Sequence, residues 1–255
     1  MTDPTYHSPK VRSGFFAFNV IAFLVAILTL LPQDANALDV KDGQSIVLLG
    51  NTLAERMQHH GWLETYAQLS MPEKKLSFRN HGFCGDKVDN RPRNRGFIDP
   101  HTYLEISKAD VILTFYGANE AWDNNPGDYA TKLGKWVDET LTKKYNGKSA
   151  PVIVLFSPIA HEDLNSPNLP DGKEQNDKLK KIAEATAQVA KEKKLEYVDL
   201  FATSQKLYSK NKDSLTINGI HLTDEGNNHI AQVIHKVLFG KDAPLKHSNL
   251  AQTKK

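Results

Sequence analysis

The sequence has little cysteine and no marked excess of charge of either sign. Cys84 is the only cysteine among 255 residues, so a disulfide within the chain is impossible and the fold must be stabilised by its core. Lys and Arg number 32 against 30 Asp and Glu, which gives no electrostatic reason to expect nucleic acid or an anionic membrane surface as a partner. With 40% apolar residues, the composition is that of one globular domain rather than two.

Long apolar runs are absent after the first forty residues, and the one near the N-terminus has the features of a leader. Two basic residues precede an uncharged stretch over residues 13–33, and an Ala-Asn-Ala sequence ending at Ala37 matches the small-x-small pattern of a signal peptidase site. We therefore predict a signal peptide over residues 1–37 and a periplasmic or secreted protein. The alternative is an uncleaved membrane anchor, because the stretch approaches the ~20 residues that a spanning helix needs.

The rest of the chain alternates short apolar runs with amphipathic helical patterns. Apolar runs rich in β-branched residues predict strands at 45–49, 111–115 and 152–156, and weaker patterns predict two more at 76–79 and 196–199. Apolar stripes with helical spacing predict helices over 99–108, 129–141, 179–190 and 230–238. This alternation predicts a three-layer α/β/α sandwich with a five-stranded, mainly parallel sheet of the flavodoxin-like type. The domain would span residues 38–240, followed by a flexible tail over 241–255.

Polar residues suited to acyl transfer follow the predicted strands. Thr52 and Asn119 come after the first and third strands, Gly85 lies in the turn after the second, and His221 precedes the last helix. Ligands bind at the carboxyl ends of the strands in an open parallel sheet, so we expect these residues to converge. A histidine can take the proton of a hydroxyl nucleophile, while a backbone N–H and a carboxamide stabilise the oxyanion.

Four segments resemble the sequence blocks that define the GDSL (SGNH) hydrolases. The segment 50–53 reads Gly-Asn-Thr-Leu where the family has Gly-Asp-Ser-Leu, and the others are 80–86, 117–120 and 218–222. The resemblance extends from about residue 46 to 238. It implies an esterase-like hydrolase acting on a small-molecule or carbohydrate ester, with no metal or organic cofactor.

The resemblance also assigns roles to particular residues. Thr52 would be the nucleophile, His221 the base and Asn218 the residue that orients the imidazole. The Gly85 N–H, the Asn119 side chain and the Thr52 N–H would bind the oxyanion. The family has serine and aspartate at the positions of Thr52 and Asn218, so two interpretations stay open. One is an active esterase, and the other is a catalytically impaired domain of the same fold that binds a glycan or a partner protein; either would be membrane-anchored if the leader is retained.

A few further residues near these segments carry weaker hypotheses. Cys84 could attack in place of Thr52, although most single cysteines are only small packed groups. Arg91 and Arg93, with Arg95, could hold a carboxylated or sulfated substrate, or form a solvated loop. Glu120 is expected to support the loop after the third strand. The His-Glu-Asp run at 161–163 weakly suggests a metal, and a polar loop is the simpler interpretation.

Overall fold

The computed structural model of the chain describes residues 37–92, 97 and 99–244. The strands in this part are β1 (Ser45–Gly50), β2 (Ser77–Asn80), β3 (Val111–Phe115), β4 (Val152–Phe156) and β5 (Glu196–Val198). The α-helices are α1 (Thr52–Met57), α2 (Trp62–Ser70), α3 (Pro100–Ile106), α4 (Pro126–Leu141), α5 (Lys173–Lys193), α6 (Leu200–Lys210) and α7 (Asp224–Phe239). The predicted leader up to residue 36, the two arginines Arg93 and Arg95, and the tail from residue 245 lie outside the described residues.

The five strands form one sheet in the order β2-β1-β3-β4-β5, and every pair of neighbours is parallel. The fold class is therefore confirmed, including the flavodoxin-like strand order. Three strands differ from their predicted bounds by one residue, since β1 extends to Gly50, β2 is shifted and β5 is shorter. β2 runs from Ser77 to Asn80 because its pairing with β1 fixes that register. β5 ends at Val198 because the side chain of Asp199 caps α6, accepting from the Ala202 N–H at 2.9 Å.

Two hydrophobic clusters, one on each face of the sheet, make the three layers. Alternate side chains of β1 point to opposite faces, as the strand geometry requires. Ile46 and Leu48 pack with residues of α2 and α7 on one face. Val47 and Leu49 pack with residues of α3, α4 and α5 on the other. No helix in the described residues is long and apolar enough to cross a membrane.

Candidate active site

The first candidate residue lies where β1 ends and α1 begins. Asn51 is the N-cap of α1, and its side chain accepts from the Leu53 N–H at 3.3 Å. Thr52 is consequently the first helical residue rather than the cap. The N–H groups at the start of a helix have no acceptor within the helix. Thr52 thus offers both a hydroxyl and a backbone donor at the carboxyl edge of the sheet.

His221 lies on the connection between α6 and α7, which we call the histidine loop (residues 211–223). The side-chain amide of Asn218 contacts His221 Nδ1, with Nδ2 at 3.0 Å and Oδ1 at 3.1 Å, and Oδ1 also accepts from the His221 N–H at 3.0 Å. Burial lowers the pKa of His221, and the positive charge of Arg56 lowers it further. The imidazole is therefore held in place and kept neutral, as a general base requires.

Thr52, Asn119 and His221 line one cleft at the carboxyl edge of the sheet. Its volume is about 90 Å³, and Leu53, Trp122 and Ile220 supply apolar walls. Within the described residues the Thr52 hydroxyl makes no hydrogen bond to His221. It donates instead to Cys84 Sγ at 3.2 Å. The three predicted residues thus converge on one cleft, while the nucleophile and its base are not paired in this conformation.

The two predicted oxyanion donors lie on neighbouring loops. Gly85 has φ of +85°, a left-handed conformation that favours glycine, and the described residues contain no acceptor for its N–H. Asn119 donates from Nδ2 to the Asp86 carbonyl at 2.8 Å, which fixes the carboxamide and uses one of its two N–H groups. One N–H of Asn119 therefore remains for a ligand in the cleft.

Buried charged residues hold these two loops together. The carboxylate of Glu120 accepts from the Val88 N–H and the Gly117 N–H, each at 2.9 Å, which agrees with its predicted supporting role. Burial raises the pKa of Glu120, although these two hydrogen bonds act in the opposite direction. The carboxylate thus joins the loop after β2 to the loop after β3, and so helps to place Gly85 relative to Asn119.

Arg91 is buried rather than directed at a substrate. Its Nη2 donates to the Tyr116 hydroxyl at 2.6 Å, and its Nε lies 3.9 Å from Asp86 Oδ2. Burial raises the pKa of Tyr116 to about 12. The geometry gives no support to the prediction that Arg91 contacts substrate, and the prediction for Arg93 falls outside the described residues. The loop pattern could not reveal this, because the hydroxyl that accepts from Arg91 belongs to Tyr116, which follows a different strand, β3.

Replacing Arg91 with methionine is expected to lower the free energy of unfolding by about 3 kcal/mol, because it removes a buried cation together with its contacts to the Tyr116 hydroxyl and the Asp86 carboxylate. Urea unfolding measures this loss. Lys87→Met is the matched control. Lys87 lies on the same loop as Arg91, but it pairs with Asp123 in a more exposed place. That variant should lose about 1 kcal/mol at most. Equal losses in both variants would contradict the structural role of Arg91.

The run at 161–163 has a structural explanation. His161 and Glu162 are both buried, and Glu162 accepts hydrogen bonds from the histidine loop. No group of three or more His, Cys, Asp or Glu side chains that could hold a metal ion occurs among the described residues. The expectation of a merely solvated loop is therefore wrong for these two residues.

A flavodoxin-like sandwich that brings a hydroxyl, an imidazole and amide donors to one edge of its sheet has the architecture of the SGNH hydrolases. The chain belongs to the GDSL-like lipase/acylhydrolase family, whose model matches residues 48–229. Membership of this family supports the hydrolysis of ester bonds as the reaction. A comparison with curated protein sequences gives no match.

Solved structures of low sequence identity share the fold. An acetyl-xylooligosaccharide esterase variant, Axe2 from Geobacillus stearothermophilus, is 17% identical, with a TM-score of 0.62 over 79% of this chain and 96% of its own. LAE5, an α/β hydrolase enzyme from the metagenome of Lake Arreo, is 16% identical, with a TM-score of 0.59 over 78% of this chain and 96% of its own. At these identities the similarity concerns the fold alone.

Proposed function

We propose that the chain is a secreted esterase that removes short acyl groups, with Thr52 as nucleophile and His221 as base. The observation that carries the proposal is that Thr52, Asn119 and His221 line the same cleft although they are far apart in sequence. The proposed secretion depends only on the leader predicted over residues 1–37. The proposed reaction depends on the cleft and on family membership.

In the proposed mechanism the Thr52 hydroxyl turns from Cys84 to His221 when an ester enters the cleft. Hydrogen bonds between catalytic groups often tighten only once substrate is bound. His221 takes the hydroxyl proton as Thr52 attacks the carbonyl carbon, and Asn218 orients the imidazole. The Gly85 N–H, the Thr52 N–H and Asn119 receive the oxyanion. His221 then protonates the departing alcohol, and a water releases the acyl group from Thr52 by the same steps.

The dimensions of the cleft support a short acyl group. The volume of about 90 Å³ is well below the roughly 300–1,000 Å³ that is typical of clefts for drug-sized ligands. An acetyl group fits that space, whereas a long fatty acyl chain would extend beyond the cleft. We therefore propose acetyl and similarly short esters as substrates.

The exposed residues at the rim of the cleft support a substrate ester whose alcohol is a carbohydrate. Trp122 and Ile220 line the cleft, yet they are 66% and 42% exposed, so they present apolar surface to whatever is attached to the acyl group. A partly exposed aromatic ring suits the apolar face of a sugar, because it has both apolar area and access. The structural neighbour Axe2 is described as an acetylxylan esterase, which is consistent with this choice.

Trp122→Ala is expected to raise KM for an acetylated oligosaccharide about fivefold, the equivalent of about 1 kcal/mol of aromatic contact. KM for ethyl acetate, which has no sugar ring, should stay the same. Steady-state kinetics on both esters measure the difference. Ile106→Ala is the matched control, because Ile106 is similarly exposed on α3 and does not line the cleft. Equal changes on both esters would contradict a sugar platform.

The central test is hydrolysis of esters by the purified domain beside His221→Ala. Assays on p-nitrophenyl esters of increasing acyl length and on acetylated sugars should show the highest kcat/KM for acetyl. His221→Ala should lose at least about 10³-fold in kcat. Hydrolysis that survives His221→Ala unchanged would exclude the proposed mechanism.

The second candidate function is a binding domain without hydrolytic activity. The observation that favours it is the hydrogen bond from Thr52 to Cys84, which leaves the nucleophile unpaired with His221. Calorimetric titration with acetylated and deacetylated oligosaccharides tests it. Binding of either without turnover would support this function over catalysis.

A further inference from the structure

Glu162 is a buried carboxylate on the connection between β4 and α5, outside the candidate cleft. It is 6% exposed and accepts three hydrogen bonds. The donors are the Leu215 N–H at 3.1 Å, the Thr216 N–H at 2.7 Å and the Thr216 hydroxyl at 2.7 Å. All three belong to the histidine loop, 53 or 54 residues further along the chain. One side chain thus ties two distant connections together.

One further hydrogen bond joins the same pair of connections, and another lies within the histidine loop. The Thr216 hydroxyl oxygen also accepts from the Gly219 N–H at 3.0 Å, and the Glu162 N–H donates to the Gly219 carbonyl at 2.8 Å. Gly219 has φ of +90°, and a Cβ there would overlap the His161 ring. The backbone on both sides of Asn218 is therefore fixed against residues 161 and 162.

We propose that Glu162 is a positioning residue for His221, acting through Thr216 and Gly219. Its catalytic consequence rests on the proposed function, while its structural consequence does not. Asn218 can orient the imidazole only if its own backbone is fixed, and the contacts of Glu162 provide that anchor. Catalytic groups must be held to about 0.5 Å by contacts of this kind, and a misplacement of 1 Å can cost about 10²-fold in rate.

The chemistry of the contacts requires a carboxylate at this position. All three contacts come from N–H or O–H donors, and both oxygens of an ionised carboxylate are acceptors. A glutamine of the same shape has one acceptor oxygen and an NH₂ group. Its NH₂ would meet a donor from Leu215 or Thr216, so the pairing cannot be completed without movement of the loop.

The test compares Glu162→Gln and Thr216→Val with the conservative Thr216→Ser, which keeps the hydroxyl. Titration of the His221 imidazole by NMR reports the position of the loop, with the resonance assigned by its loss in His221→Ala. In Glu162→Gln and Thr216→Val the pKa of His221 should rise toward the ordinary value of about 6.5, because the freed loop exposes the imidazole to water. In Thr216→Ser it should match the parent protein.

Kinetics on the best acyl ester give the second readout. We expect kcat to fall about 10²-fold in Glu162→Gln and in Thr216→Val, with KM within about twofold of the parent. Glu174→Gln applies the same chemical change to an exposed glutamate and should alter neither readout. If Glu162→Gln does not fold, the measurements on Thr216→Val test the positioning role by themselves.

An unchanged His221 titration in Thr216→Val and in folded Glu162→Gln would overturn the positioning role, whatever the activity of the parent. A shifted titration in a parent that hydrolyses no ester would support the positioning role and reject the proposed function. The experiment therefore distinguishes a failure of the positioning role from a failure of the proposed function.

Discussion

Thr52→Ala is expected to lower kcat for an acetyl ester by about 10³-fold or more, because it removes the only hydroxyl nucleophile that our mechanism provides. KM should change little, since the proposed oxyanion donors Gly85 and Asn119 and the apolar walls of the cleft at Leu53, Trp122 and Ile220 are unaltered. Single-turnover measurements of acyl-group release, combined with steady-state kinetics, separate the chemical step from binding. Circular dichroism and urea unfolding should show that the variant folds like the parent.

The variants Thr52→Ser and Cys84→Ala test whether the nucleophile is the Thr52 hydroxyl or the Cys84 thiol. Serine lacks the β-methyl group that restricts χ1, so the hydroxyl can turn from Cys84 to His221 more easily, and we expect kcat to rise about tenfold. Cys84→Ala removes the present acceptor of the Thr52 hydroxyl and should leave kcat equal or higher. A loss in Cys84→Ala as large as that in Thr52→Ala would assign the attack to the thiol and contradict our mechanism.

The three central strands β1, β3 and β4 could be predicted from the sequence because they are buried on both faces over most of their length and so appear as continuous apolar runs, whereas the edge strands β2 and β5 are partly exposed and give weaker patterns. The helices at 52–57, 62–70 and 200–210 were not predicted. The apolar spacing of Trp62, Leu63, Tyr66 and Ala67 would have revealed the second of them. The helix at 52–57 has only six residues, which is too short for a periodic apolar pattern. Asp199 at the cap of the third is a signal that could have been used.

The location of the candidate site could be predicted because topology alone brings the ends of parallel strands to one edge. The contacts within the site could not. The hydrogen bond from Thr52 to Cys84, the burial of Arg91 and the contacts of Glu162 each join residues between 25 and 54 positions apart. Such pairs depend on how loops pack in three dimensions, and a local pattern contains no information about that packing.

Asn218→Asp is expected to raise kcat/KM by about 10²-fold or more. Asn218 contacts His221 Nδ1 at 3.0 to 3.1 Å, so an aspartate there can accept from an Nδ1–H and leave Nε2 as the base. Its charge also stabilises the imidazolium that forms when Thr52 is deprotonated. In a serine protease the reverse change costs about 10⁴-fold in kcat, mainly because the imidazole adopts the wrong tautomer. Asn218→Ala, which lacks both effects, should lose activity.

The pH dependence of this variant follows from the environment of His221. In the parent protein, burial and the nearby Arg56 lower the pKa of His221, so protonation of the base is shifted to a pH below its ordinary value of about 6.5. A carboxylate beside the ring favours the protonated form and raises that pKa. The acidic limb of kcat/KM should therefore move to higher pH in Asn218→Asp, even as the maximum increases. Profiles from pH 4 to 9 that superimpose for the two proteins would contradict the assignment of His221 as the base.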